Sequence, residues 1–322
     1  MLAVGFVGLD FDRANARDPG NAKRFPGWIG ERRAWRIQKM ILFITAGILL
    51  LLVILYLLMI MPRMFHRPDI TPFKGVLYAH RGLHDNFSSA PENSMAAFKK
   101  AVEAGFGIEL DVQLSKDKVP VIFHDSTLDR ICGAEGRVED FTYEELQRFS
   151  LCGTAEKIPK FEDFLKMADG RVPLIIEYKI PGGRAEVCPI ADKLLQTYNG
   201  PYCIESFNPL ALLWYRRNKK EVVRGQLADN FIKAGEKTLS PFLYFALHHL
   251  LFNFLGKPDF IAYNHFLYRD LSRRLCRRLY RAPAAAWTIK NKTELEESRK
   301  EFDMFIFDSF LPVTAYNFGQ NA

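Results

Sequence analysis

Eight short apolar segments, separated by helical patterns, follow one another from residue 76 to the end of the chain. Strands that alternate with helices predict a parallel sheet whose connecting helices lie outside it, and eight such units close into a barrel. The predicted strands are 76–80, 108–114, 173–179, 202–206, 222–227, 259–263, 284–290 and 303–307. The sequence therefore predicts an α/β fold, a (β/α)8 TIM barrel over residues 76–322.

Residues 41–61 contain no charged side chain and are apolar throughout. About 20 apolar residues are enough for a helix to cross a bilayer. No small-x-small cleavage site follows, so a removed signal peptide is not predicted. A buried core helix would need an apolar pocket on every side. We predict a single transmembrane anchor over 40–62 and a linker over 63–75.

Basic residues are more frequent before this segment than after it, which places the N-terminus in the cytoplasm and the barrel outside. Residues 1–39 are predicted to be a polar tail without regular structure. A translation start at Met40 remains an alternative, and it would remove most of the bias. The basic residues are Arg32, Arg33, Arg36 and Lys39 before the segment, and Arg63 and Arg67 after it.

A net charge of +7 indicates anionic partners, either a membrane surface or a phosphorylated substrate. No zinc-finger spacing or basic tail accompanies the charge, so nucleic acid is not predicted as a partner. The five cysteines are widely spaced without a C-x-x-C pair, which excludes a cysteine zinc site and a disulfide framework. A Cys132–Cys152 bond stays open for an extracytoplasmic domain. The oligomeric state is not indicated.

Ionisable residues follow directly where apolar strands end. One strand ends in His80 and Arg81, and a short extra strand over 119–124 ends in His124. Between them, Glu109 and Asp111 lie on the same face of a strand, because strand side chains alternate with period two. Two imidazoles, a guanidinium and paired carboxylates are groups that can hydrolyse a phosphate ester.

A third carboxylate, Glu177, stands on the next long strand. Three carboxylates with water form an oxygen-only site that suits Mg²⁺ or Ca²⁺ rather than zinc. The alternative for Glu177 alone is a salt bridge to a neighbouring arginine.

Five short motifs occur in order within about fifty residues, and together they resemble the glycerophosphodiester phosphodiesterase family, here as a membrane-anchored member. The resemblance extends over roughly residues 77–308. The motifs are His80-Arg81-Gly82, Pro91-Glu92-Asn93-Ser94, Glu109-Leu110-Asp111-Val112, His124-Asp125 and Leu128-Asp129-Arg130.

The resemblance implies a role for each matching residue. It implies that His80 and His124 act as general acid and base, and which does which stays open. It implies metal ligation by Glu109, Asp111 and Glu177, and phosphate binding by Arg81 and Lys179. It further implies that Glu92 and Asn93 support the site and that Phe207 and Trp287 contact the substrate at the mouth of the barrel.

The implied activity is metal-dependent hydrolysis of glycerophosphodiesters to glycerol 3-phosphate and an alcohol. The glycerol hydroxyl would attack phosphorus, and a cyclic phosphate would then open with water. One alternative is lysophospholipase D or phosphatidylinositol-cleaving activity on membrane lipid. Another is a catalytically silent, lipid-binding membrane module, but that would require loss of a histidine or a metal-binding acid, and none is lost.

Three further segments carry predictions. Residues 125–151 form an insertion in the barrel. Residues 241–255 are apolar nearly all round and predict one helix in the bilayer interface near the barrel mouth, or alternatively a buried helix under an insertion. Residues 269–281 predict an amphipathic outer helix with Leu271, Leu275 and Leu279 on its apolar face.

Overall fold

The computed structural model describes residues 27–233 and 238–313, which belong to two compact units, one ending at Ile54 and one beginning at Leu55. The α-helices in this part are α1 (Gly27–Ile60), α2 (Met95–Glu103), α3 (Asp129–Cys132), α4 (Tyr143–Leu146), α5 (Phe161–Ala168), α6 (Val187–Leu195), α7 (Pro209–Asn218), α8 (Pro241–His248), α9 (Asn253–Gly256), α10 (Leu271–Arg278) and α11 (Lys292–Ser298). The strands are β1 (Leu77–His80), β2 (Gly107–Leu114), β3 (Pro120–Ile122), β4 (Leu174–Tyr178), β5 (Tyr202–Ser206), β6 (Val223–Ala228), β7 (Phe260–Asn264), β8 (Ala284–Ile289) and β9 (Met304–Phe307).

All of these strands except β3 are parallel and form a closed ring. The order β1-β9-β8-β7-β6-β5-β4-β2 returns to β1 because β1 and β2 also pair, with His80 opposite Glu109. β3 runs antiparallel to the end of β2, with Val112 opposite Ile122. The predicted TIM barrel is confirmed, and each predicted barrel strand ends within a residue of the observed one.

Side chains alternate between the two faces of the barrel wall, as strand geometry requires. Leu77, Ile108 and Leu110 belong to the large apolar cluster between the strands and the outer helices. Tyr78 belongs to a smaller cluster inside the barrel. The same alternation directs Glu109 inward, and charged residues therefore occupy the interior at the carboxyl ends of the strands.

Helix α2 shows how the sequence sets a local boundary. The Ser94 hydroxyl accepts a hydrogen bond of 3.1 Å from the Ala97 amide and so caps the first turn. Ala97, Phe98 and Ala101 form the buried face, which packs on the barrel. The helix begins directly after the P-E-N-S motif, and its capping fixes that motif beside the strand ends.

The insertion after β3 has an apolar cluster of its own. Phe123, Leu128, Val138, Leu146 and Leu151 are all buried in it. The predicted extra strand is present as β3, shorter than predicted. This small core holds the segment after β3, including His124, against the carboxyl end of β2.

The predicted continuous helix over 241–255 is wrong. α8 ends at His248, Leu250 takes a left-handed conformation with φ of 59°, and α9 starts at Asn253. The break turns Leu250 into the large apolar core, where it is 1% exposed. Phe242 and Phe245 remain 75% and 50% exposed. The apolar surface is therefore smaller than an all-round apolar helix would have.

The predicted helix over 269–281 is present as α10, but of the predicted apolar face only Leu275 packs against the core. Leu271 and Leu279 are 59% and 53% exposed, whereas Arg273 and Cys276 are buried. Arg273 can be buried because its guanidinium donates to a Glu301 carboxylate oxygen at 3.0 Å. The buried face of α10 thus includes a paired arginine that the leucine spacing did not indicate.

Helix α1 begins at Gly27, so the prediction of an irregular tail is wrong for residues 27–39; residues 1–26 lie outside the described residues. The last turn of α1 belongs to the second unit. The final carbonyl groups of a helix have no partner within it. Here Tyr280 Oη donates to the Leu57 carbonyl at 2.9 Å, and Asn253 Nδ2 donates to the Ile60 carbonyl at 2.8 Å.

These contacts lie at the amino-terminal end of the strands. Asn253 and Tyr280 precede β7 and β8, and a barrel helix ends where its next strand begins. Ile60 itself is fully buried there. The second unit therefore includes the end of α1 as part of its core, at the end of the barrel opposite to His80 and Glu177.

Replacing Asn253 tests this contact. Asn253→Leu keeps the branched shape and the number of side-chain heavy atoms but removes the amide donor to a buried carbonyl, so we expect the free energy of unfolding to fall by about 1–3 kcal/mol. Thermal and urea unfolding of the full chain in detergent would measure it. The control is Asn218→Leu, because Asn218 is exposed and bonds only to the Trp214 carbonyl of its own helix. Equal stability of the two variants would contradict the proposed contribution.

Candidate active site

Four carboxyl groups lie side by side inside the carboxyl end of the barrel. Asp111 on β2 is opposite Glu177 on β4, and Glu177 is opposite Glu205 on β5. One ligand oxygen from each of Glu109, Asp111 and Glu177 lies within 4.8 Å of the others. All four residues are at most 7% exposed. The structure thus brings together the three predicted metal-binding acids and adds Glu205, which the sequence analysis did not identify.

The protonation of this group is set by burial and by two cations. Burial, together with the charges of Asp111 and Glu177, raises the pKa of Glu109 well above its usual value, and burial does the same for Glu205. Burial would also raise the pKa of Asp111, but the Lys179 charge and further nearby positive groups hold it well below its usual value. Asp111 is therefore the carboxylate that stays ionised most firmly.

Lys179 follows β4 and its ammonium group contacts two of the acids. Its Nζ lies 2.9 Å from Asp111 Oδ1 and 2.6 Å from Glu177 Oε1. Burial opposes the charge on Lys179, but these two carboxylates outweigh it and raise its pKa. The salt bridge considered for Glu177 exists, with a lysine rather than an arginine, and it does not separate Glu177 from the other acids.

The donor set fits a divalent cation of the hard, oxygen-preferring kind. The ligand atoms are carboxylate oxygens only, as Mg²⁺ and Ca²⁺ prefer. The raised pKa values of Glu109 and Glu177 indicate that Lys179 and Arg81 do not balance the negative charge available. A divalent cation held by Glu109, Asp111 and Glu177 would supply the missing positive charge.

The loop after β1 approaches these acids through its backbone as well as its side chains. Arg81 and Asn93 both have φ of 56°, in the left-handed region. The Arg81 amide donates to Glu109 at 3.1 Å, and Asn93 Nδ2 donates to Asp111 at 2.8 Å. Gly82 allows helix α2 to pack closely, because a Cβ there would lie 2.9 Å from the Ala97 carbonyl carbon. These contacts explain why H-R-G and P-E-N occur together.

Glu92 connects the two sides of the site through arginines. One of its oxygens accepts from Arg81 Nη1 at 2.6 Å, and Arg130 donates to both oxygens at 2.8 Å. Burial would raise the pKa of Glu92, but the Arg130 hydrogen bonds and the Arg81 charge lower it to about 2. Arg130 also donates to Asp125 at 2.6 Å, and Asp125 Oδ1 lies 2.5 Å from His124 Nδ1. This network orients the His124 ring.

His80 is held by an acid from the other end of the sequence. His80 Nδ1 lies 3.4 Å from Asp308 Oδ2, and its Nε2 lies 4.0 Å from Glu109 Oε2. Burial, reinforced by the Arg81 charge, lowers the pKa of His80 to about 4, so the ring is neutral at pH 7. Asp308 also lies 3.4 Å from His84 Nε2. The sequence analysis assigned no role to Asp308 or His84, although Asp308 directly follows the last barrel strand.

Aromatic rings line one side of the mouth. The Phe207 and Trp287 rings meet edge to face with centroids 5.7 Å apart, and Phe207 also contacts Phe231 at 5.3 Å. Lys179 Nζ lies 6.0 Å from the Phe207 ring centroid. Phe207 and Trp287 thus stand where the sequence analysis expected them, and Phe231 extends the same wall.

Comparison with known proteins identifies relatives over most of the barrel. The model of the glycerophosphoryl diester phosphodiesterase family matches residues 80–303. A glycerophosphodiester phosphodiesterase of Caldanaerobacter subterraneus is 36% identical over 151 residues, which is 43% of this chain and 60% of that protein. One from Bacillus altitudinis is 38% identical over 120 residues, 33% of this chain and 48% of that protein. The chain thus spans less than two thirds of the length of these curated relatives.

Solved structures share the fold at low sequence identity. A phosphodiesterase of Oleispira antarctica, in complex with the product sn-glycerol-3-phosphate, has a TM-score of 0.59 and 23% identity, covering 73% of this chain and 93% of its own. A glycerophosphodiester phosphodiesterase of Thermotoga maritima has a TM-score of 0.55 and 23% identity, covering 72% and 93%. At this identity the likeness supports the barrel fold.

The low pKa of Glu92 predicts a stability that depends on pH. Because the pKa falls from 4.5 to about 2 on folding, the contribution is complete above about pH 4.5 and is lost as pH falls toward 2. Glu92→Gln should therefore lower the free energy of unfolding by about 2–3 kcal/mol at pH 7. The difference from the parent should shrink by about half at pH 3.

Thermal unfolding of both proteins at pH 7 and pH 3 measures this. Glu103→Gln is the matched control, since Glu103 is an exposed acid at the end of α2. A difference between Glu92→Gln and the parent that is independent of pH would contradict the interpretation.

Proposed function

The chain belongs to the glycerophosphoryl diester phosphodiesterase family, and from this premise we propose that it hydrolyses glycerophosphodiesters to glycerol 3-phosphate and an alcohol. The observation that carries the proposal is the carboxylate cluster of Glu109, Asp111 and Glu177, with Arg81 and Lys179 beside it and His80 above it. The product complex of the Oleispira antarctica phosphodiesterase supports the same substrate class.

The family is metal-dependent, and we propose Mg²⁺ or Ca²⁺ as the ion. Glu109, Asp111 and Glu177 would hold it, since their oxygens face one another in the barrel. When bound, the ion would polarise a phosphoryl oxygen and offset the charge of the diester. Arg81 and Lys179 are the cations placed to bind the remaining phosphoryl oxygens.

The two histidines supply opposite proton transfers in this proposal. His80 is neutral at pH 7, which suits a base that accepts the proton of the glycerol hydroxyl as its oxygen attacks phosphorus. His124, paired with Asp125, then donates a proton to the alcohol oxygen as its bond to phosphorus breaks. A water molecule opens the resulting cyclic phosphate with the same two groups in reversed roles. Phe207 and Trp287 would contact the apolar part of the substrate.

The geometry favours a water-soluble diester. The last residue of α1, Ile60, is buried at the amino-terminal end of the strands, whereas the carboxylates and histidines stand at the carboxyl end. A substrate entering the mouth therefore does not pass the end of α1. The alternatives, a lipid-cleaving activity and a catalytically silent module, are not supported.

We propose that α1 anchors the chain in a membrane as a single pass. Among the described residues, Arg32–Ile60 is the one segment whose helix is long and apolar enough to span a bilayer, with mean hydropathy of 3.0. Signal sequences and buried core helices can have the same composition. The side chains of this helix argue against burial, because Leu42, Phe43 and Leu50 are 65%, 72% and 62% exposed.

The proposed organisation follows from this anchor: a membrane segment over 40–62, a linker over 63–75, and a barrel over 76–322 with the insertion 125–151. We place the barrel on the extracytoplasmic side, from the excess of basic residues before the span. Phe254 is exposed, and we expect it to touch membrane lipids, because its neighbour Asn253 contacts the last residue of α1.

The activity is tested with the full chain in detergent, assayed on glycerophosphocholine, glycerophosphoglycerol and a lysophospholipid. We expect hydrolysis of the two glycerophosphodiesters with Mg²⁺ or Ca²⁺ and none in excess chelator. His80→Ala, His124→Ala and Glu109→Gln should each lower kcat/KM on the order of 10²–10⁴-fold.

His66→Ala and Glu103→Gln are the matched controls, both at exposed positions outside the site. Full activity in chelator would contradict the metal assignment. Site variants within a few-fold of the parent would contradict the residue assignment, and preferential cleavage of the lysophospholipid would contradict the substrate class.

The topology is tested with two C-terminal fusions. We expect a fused alkaline phosphatase to be active and a fused green fluorescent protein to be dark, since the former folds only outside the cytoplasm and the latter within it. Replacing the four basic residues before the span by glutamine should reduce the phosphatase activity. A fluorescent fusion with an inactive phosphatase fusion would show the opposite orientation.

A further inference from the structure

A second group of metal-binding side chains lies beside the carboxylate cluster and shares no residue with it. His80, His84 and Asp308 each offer one ligand atom, and these atoms lie within 4.8 Å of one another. His80 ends β1, His84 follows in the next loop, and Asp308 directly follows β9. Two imidazole nitrogens and a carboxylate are ligands of zinc rather than of Mg²⁺ or Ca²⁺.

The distances fit coordination better than hydrogen bonding. Asp308 Oδ2 lies 3.4 Å from His80 Nδ1, and Asp308 Oδ1 lies 3.4 Å from His84 Nε2. Charge-assisted hydrogen bonds between such groups are about 2.7–2.9 Å long. Two ligands at about 2.0–2.1 Å from a tetrahedral zinc are about 3.3–3.4 Å apart. Each histidine therefore stands from an Asp308 oxygen at the separation of two ligands on one zinc ion, and the ligand atoms of all three side chains lie within 4.8 Å of one another.

His84 has no other evident function in the described part of the chain. Its side chain is only 12% exposed, and neither ring nitrogen makes a hydrogen bond to a described residue; Nε2 has the 3.4 Å contact with the Asp308 carboxylate. Buried polar groups are nearly always satisfied, so an imidazole in this state requires an explanation. Its amide nitrogen donates to the Gly82 carbonyl at 3.0 Å, which fixes the residue in the loop.

We propose that His80, His84 and Asp308 form an inhibitory zinc site. Three protein ligands leave a fourth position for water, and the 19% exposure of His80 and the 17% exposure of Asp308 allow solvent to reach it. Zinc on His80 Nδ1 replaces the proton there, so the neutral ring carries its remaining proton on Nε2. Such a ring cannot accept a proton at Nε2 near neutral pH. Zinc binding rests on the geometry alone, and inhibition rests also on the proposed function.

The binding test uses the full chain in detergent with the carboxylate cluster saturated by Mg²⁺. Co²⁺ serves as a visible probe, because four-coordinate Co²⁺ with nitrogen ligands absorbs far more strongly than six-coordinate Co²⁺ bound by oxygens. We expect strong visible absorption with one equivalent of Co²⁺, displaced by one equivalent of Zn²⁺. His84→Asn should lose this absorption, whereas His66→Asn and Glu109→Gln should retain it.

The activity test measures inhibition by buffered free Zn²⁺ at saturating Mg²⁺. His84→Asn should keep the activity of the parent without zinc and require at least about tenfold more zinc for half-inhibition. Absence of the strong absorption in the parent, or its persistence in His84→Asn, would overturn the site. Equal zinc sensitivity of His84→Asn and the parent would overturn the inhibitory role. If no diester is hydrolysed at all, the proposed function fails while the absorption still decides the zinc site.

Discussion

The burial of four carboxyl groups inside one end of a closed barrel is the constraint that organises this protein. Glu109, Asp111, Glu177 and Glu205 are almost excluded from water, and an uncompensated buried charge costs several kcal/mol. Lys179 compensates part of it from within the barrel, and Arg81 compensates part of it from the loop after β1. The negative charge that Lys179 and Arg81 leave uncompensated favours the binding of a hard cation in the interior. Lys179 and Arg81 therefore stand where they can neutralise the buried carboxylates.

The features that could be predicted from the sequence are those set by local pattern. Strand alternation places Glu109 and Asp111 on one face whatever the rest of the chain does, so their proximity was predictable from local pattern alone. The barrel was predictable for a similar reason, since each strand carries its own apolar signal. His80 and His124 could be located because polar residues that directly follow buried strands must stand at the barrel mouth.

Features that depend on distant partners could not be predicted in this way. The break at Leu250 places that side chain in the core, and Arg273 on α10 can be buried because Glu301 pairs with it. No local pattern records either partner. His84 and Asp308 were missed for the same reason, because a single histidine or aspartate in a loop carries no signal until the fold brings the two together.

The contact between His80 and Asp308 joins residues 228 positions apart in the chain. β1 and β9 are the first and last strands of the ring, and they are neighbours only after the ring has closed. During synthesis, every carboxylate of the cluster is available long before Asp308 leaves the ribosome. The acid that orients His80 is thus the last part of the site to arrive, and a chain that has acquired it has also completed its barrel. The proposed activity would thus be tied to finished folding by the order in which the residues of the site are made.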